Sequence, residues 1–66
     1  MMHSAVYHVA PRQGRWTVEE EEGSHPAATC AEKETAVRLA QELARVRHAL
    51  LVVHRDDGSV HAEHRY

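Results

Sequence analysis

The sequence predicts a small α+β domain, ββαββ, in which two β-hairpins flank one helix and the helix packs on one face of a four-stranded antiparallel sheet. Three observations predict it. Alternating apolar runs broken by turn signals occupy both ends of the chain. Apolar residues spaced by three and four fill the middle. With 66 residues there is room for a single domain, taken as residues 1–66, and for no second one.

The first hairpin is expected at about residues 4–20. Val6-Tyr7-His8-Val9 is rich in β-formers, Pro11 is expected to stop the pairing, and Gln13-Gly14 signals a turn. Arg15-Trp16-Thr17-Val18 then alternates again. Tyr7, Val9, Trp16 and Val18 fall on one face and are expected in the core. Gly23-Ser24-His25-Pro26 breaks the chain. Thr29-Cys30-Ala31-Glu32 fits a capping box, which starts a helix over about residues 30–48. Ala36, Leu39, Ala40, Leu43 and Val46 form its apolar stripe, with Val37 and Ala44 flanking, and the first four of these complete the expected core.

Leu50-Leu51-Val52-Val53-His54 and Val60–Tyr66 make the second hairpin, about residues 50–66, around Asp57-Gly58. Two registers fit it. A two-residue loop sets His54 opposite His61, and a three-residue loop with a glycine bulge sets His54 opposite Val60. The expected strand order is 2-1-3-4, with every neighbour antiparallel.

Composition narrows the function classes. Lys plus Arg is 8, Asp plus Glu is 10, and the net charge is −2. Together with the run Glu19-Glu20-Glu21-Glu22, that balance disfavours nucleic acid as a partner, although Arg12, Arg15, Arg55 and Arg65 could gather at sheet edges. The Glu run reads as a solvated strand end and loop. No apolar run approaches the roughly 18 residues of a membrane span, so a soluble, cytoplasmic chain with no membrane contact is expected.

The single cysteine, Cys30, allows no intrachain disulfide and no two-cysteine zinc motif. Placed in a first helical turn it has no oriented base or oxyanion donors in the sequence, so no catalytic residue and no enzymatic activity is expected. Seven histidines raise the question of a metal. His54 and His61 could face each other with Glu63 or His8 near, but no HExxH or Cys/His spacing is present, and neither metal nor cofactor is expected.

A single helix covers one face of such a sheet. The other face would carry Val6, His8 and Thr17 with either Leu50, Val52 and His54 or Leu51 and Val53, both apolar sets. An uncovered aliphatic patch is the most informative expectation. It predicts an interaction face of Val6, His8, Thr17, Val52, His54 and His61. The chain would then be a homodimer, or a module for another protein. Three histidines on that face would also gather positive charge in acid and favour the monomer.

Tyr7-His8-Val9 with Pro11, then Gly14-Arg15-Trp16 and Val18, resembles the opening of a family of short bacterial and phage proteins known as domain of unknown function 2188 (DUF2188). Glu34, Ala36, Val37, Ala40, Glu42, Leu43 and Ala44 in the helix resemble it too. So do Leu51-Val52-Val53-His54, Asp57-Gly58, Val60 and Tyr66 at the end, and together these cover about residues 6–66. The chain departs from the family pattern at His48, where a glycine is common. It departs also at Glu32, where Thr or Ser is usual near the helix start, and at His61 and His64, which replace basic residues. The resemblance implies a small ββαββ domain and no particular activity.

Overall fold

The computed structural model describes residues 5–66, so the expected strand start at residue 4 lies outside the described residues. The chain runs β1 (Val6–Arg12), β2 (Arg15–Glu20), β3 (Ala28–Cys30), α1 (Lys33–Arg47), β4 (Leu50–His54) and β5 (Val60–Arg65). The strands form one sheet in the order β3-β2-β1-β4-β5. The class is α+β with one helix, as the sequence predicts, but the sheet has five strands and is mixed.

The fifth strand explains the mixture. Ala28–Cys30 pairs antiparallel with β2, setting Thr29 opposite Thr17 and Cys30 opposite Trp16. That extra reversal turns the chain once more before the helix. The helix then carries it back, and β4 enters parallel to β1, with Val6 opposite Leu50 and Val9 opposite Val53. The expected antiparallel junction is therefore corrected, while the neighbours 2-1-3-4 keep their places as β2, β1, β4 and β5. The capping box is corrected with it. Thr29 belongs to a strand, the helix starts at Lys33, and Glu32 precedes it in extended conformation without a side-chain cap bond.

Pro11 does not stop β1, which continues to Arg12. The hairpin register runs Val9 to Val18, Pro11 to Trp16 and Arg12 to Arg15. Even-numbered residues of β1 turn their backbone groups toward β2, as the bond from Glu21 N–H to Val6 O shows. Pro11 is odd-numbered, so its missing N–H faces the β4 side, beyond the last β1–β4 pair at Val9 and Val53. Gln13 (φ 51°) and Gly14 (φ 78°) close the hairpin with the two positive φ values that a two-residue turn of this twist needs.

The second hairpin adopts the bulged register, with His54 opposite Val60 and a shift between Val53 and His54 that leaves His61 as the extra residue. Gly58, at φ 90°, supplies the left-handed position. Asp57 Oδ1 accepts from the Ser59 backbone N–H at 3.0 Å and from its hydroxyl at 2.7 Å, which holds the loop.

The core lies between the helix and the sheet. Tyr7, Val9, Val18, Ala36, Ala40, Ala44, Ala49 and Leu51 are buried in one cluster, with Trp16 and Leu43 packed at its margin. Leu39 is a correction: it is 40% exposed, and Val46 is 77% exposed. The stripe is centred on Ala36, Ala40 and Ala44, one turn apart in i,i+4 steps. Leu39 lies about 100° around the helix from that centre, so it faces water.

The helix ends at His48 in the left-handed region (φ 53°). The Ala49 N–H then reaches Ala44 O at 2.8 Å and the His48 N–H reaches Arg45 O at 3.4 Å, as in a Schellman ending. A glycine adopts that conformation without the Cβ clash.

Three outcomes are expected in urea unfolding. Ala40→Leu should destabilise by about 1–3 kcal/mol through overpacking against the sheet, whereas Leu39→Ala should cost less than about 1 kcal/mol. His48→Gly should stabilise by about 1 kcal/mol by relieving the left-handed strain.

Candidate functional site

Two regions gather polar and apolar side chains in patterns that packing alone does not require. They lie on opposite faces of the sheet.

On the face away from the helix, the even-numbered residues of β1 line up with Thr17, Glu19, Leu50, Val52 and His54. This is the face expected to expose apolar surface. It is closed instead by its own side chains, and Thr17 and Val52 are buried (4% and 6% exposed). Val6, His8 and His54 are half-buried. Arg12 Nε donates to Glu19 Oε2 at 2.8 Å, and the Thr17 hydroxyl donates to the same oxygen at 2.9 Å. Residues 23–26 come alongside the Arg12–Glu19 pair. Beside it runs a chain of imidazoles. His54 Nδ1 donates to Gly58 O (2.9 Å), His8 Nδ1 lies 2.9 Å from His54 Nε2, and His8 Nε2 lies 2.7 Å from Glu21 Oε1.

The Glu run is thus not merely solvated. Glu19 pairs with Arg12, Glu20 with Arg47 and Glu21 with His8. Arg47 also donates to the Tyr7 hydroxyl at 2.9 Å and lies over its ring, which ties the last helical turn to β1.

His61 is not on this face. Its place in the bulge turns it to the helix side, where the Lys33 ammonium donates to His61 Nδ1 at 3.3 Å. Lys33 also sits 5.0 Å from the centre of the Trp16 ring. The expected cluster of three histidines is therefore two, His8 and His54. Among the described residues, no group of three His, Cys, Asp or Glu side chains is placed to hold a metal ion. Cys30 lies in β3, before the helix rather than in its first turn.

The second region has no counterpart among the sequence-based expectations. The helix packs over β1 to β4 and leaves β5 uncovered, so all six β5 residues are exposed. Between α1 and β5 lies an open groove of about 740 Å³. Val37, Leu51, Val53 and Ala62 make its apolar surface, and His64 and Tyr66 pack edge to face at 4.5 Å along it. Only the lateral position of the helix creates this groove, and no sequence signal reports that position.

Among the described residues, no helix is long and apolar enough to cross a membrane. The fold and its groove define a small α+β domain with one helix off-centre on a mixed sheet. The model of DUF2188, described as an uncharacterized protein conserved in bacteria, matches residues 7–66, and the chain belongs to that family. No curated protein and no solved structure matches the chain.

Glu19 supplies a pH dependence. Burial raises its carboxyl pKa, but the hydrogen bonds from Arg12 and Thr17 and the nearby charge of Arg12 outweigh burial, and the net shift is downward from 4.5. Its stabilisation is fully present above the unfolded value and is lost as pH falls through the lower folded value. Glu19→Gln should therefore lower stability at pH 7 and flatten the loss of stability below 4.5. Urea midpoints at pH 7, 5, 4 and 3 measure both effects, and parallel curves for the two proteins would contradict this role.

Proposed function

We propose that the protein is a non-enzymatic interaction module that works by self-association, most simply as a homodimer. The observation that carries this reading is the uncovered β5 edge beside the apolar groove. A free strand edge offers unpaired backbone groups to another strand, and an adjoining apolar surface gains when water leaves it. The face expected from the sequence, around Val6, His8, Thr17, Val52 and His54, is the poorer candidate, because its polar side chains already satisfy one another. Arg12 is engaged by Glu19 and Arg47 by Glu20, which supports a protein partner over a nucleic acid.

Sedimentation equilibrium at micromolar concentration tests the reading. A mass twice the 7.5 kDa of the chain is expected. A monomer persisting to about 100 μM, weaker than specific association requires, would overturn it.

A further inference from the structure

The self-association just proposed has a definite geometry, and the inference rests on that reading. We infer that two copies join through β5, antiparallel about a two-fold axis at His64, so that the two sheets become one ten-stranded sheet. The backbone directions come first. Tyr66 N–H bonds to Ala49 O, and β5 pairs with β4 as His64 to Leu51 and Ala62 to Val53. Residues 62, 64 and 66 therefore spend their backbone groups inward on β4. Glu63 and Arg65 point theirs outward, to the free edge.

A symmetric antiparallel pair must then place outward residues opposite outward residues, which leaves few registers. An axis at Glu63 sets the two Glu63 carboxylates against each other. An axis at Ala62 runs each strand into the bulge at His61, where the ladder is irregular. An axis at His64 uses only residues 62–66, beyond the bulge. It sets Glu63 opposite Arg65 of the second copy, twice, with four backbone hydrogen bonds between those residues. It also sets Ala62 opposite Tyr66 of the second copy, apolar against apolar. Both charges lie on the face away from the helix, opposite Val52 and Leu50, and among the described residues neither makes an ion pair within the chain. The charge pattern of β5 is thus complementary to itself in this one register. The paired strands carry each copy's Tyr66 to the groove of the other, which extends its apolar wall.

The opposite edge does not offer the same. β3 has three residues, too few for a symmetric ladder of this kind.

Disulfide trapping and charge exchange test the register. In a Cys30→Ser background, His64→Cys places two thiols across a non-hydrogen-bonded pair, with Cα atoms about 4.5 Å apart, inside the range a disulfide spans. It should cross-link about ten-fold faster than Arg38→Cys, which is exposed on the helix. Glu63→Arg should weaken the dimer about ten-fold, and adding Arg65→Glu to it should restore the constant. Circular dichroism confirms that each variant is folded. Rapid trapping with rescue by the exchange supports the register. A dimer by sedimentation that neither traps at position 64 nor responds to the charge changes overturns the register and leaves self-association standing. A monomer throughout overturns both.

Discussion

The closeness of the helix to the sheet governs the rest of the structure. Ala36, Ala40 and Ala44 are fully buried, and they present only methyl groups to Val9, Val18 and Tyr7. Small side chains let a helix backbone lie near the strands, but they give it a narrow contact. The helix sits where that contact is best, over the β1–β2 side, and is held there by Lys33 against Trp16 and by Arg47 against Tyr7 and Glu20. A chain this short has one helix to place. A position that serves the central strands leaves the last one bare, and the groove beside β5 follows from that choice.

The two faces of the sheet solve their exposure differently. Away from the helix the described residues form no second layer, yet Thr17 and Val52 are nearly inaccessible. Short apolar and hydroxyl groups lie beneath longer side chains that are linked in pairs and chains: Arg12 to Glu19, Glu21 to His8 to His54. Each long side chain covers neighbours with its stem while its polar end is satisfied beside another. Such a cover replaces the missing layer with surface chemistry. On the helix side the same task falls to the helix, and it is unfinished at one edge.

Much of this was legible in the sequence, and the gaps have physical causes. Gln13-Gly14 and Asp57-Gly58 announced both hairpins because positive φ demands particular residues. The core face of Tyr7, Val9, Trp16 and Val18 followed from simple alternation. Ala28–Cys30 escaped because three residues are too few to show a period, and without that strand the direction of β4 could not be read. The spacing of Leu39 fits the stripe, but spacing fixes a set of faces and not which one touches the sheet, and Leu39 is exposed. The bulge was one of two registers that the loop allowed, and it alone decides that His61 joins Lys33 rather than His54. The left-handed ending of the helix at His48 is a backbone position that the helical periodicity of the sequence does not announce.

The parallel pairing of β1 with β4 also sets the order in which the chain can assemble. β1 and β2 meet across a two-residue turn, and β4 and β5 across a short loop, so each hairpin can form from local encounters. β1 stands at the centre of the sheet, however, and its second neighbour arrives only after the helix has been made. Joining the halves closes the longest loop in the fold, and the entropy of that closure is spent before the β1–β4 contacts repay it. On a ribosome the first hairpin would therefore wait, half its backbone groups facing water, until Val53 has left the exit tunnel.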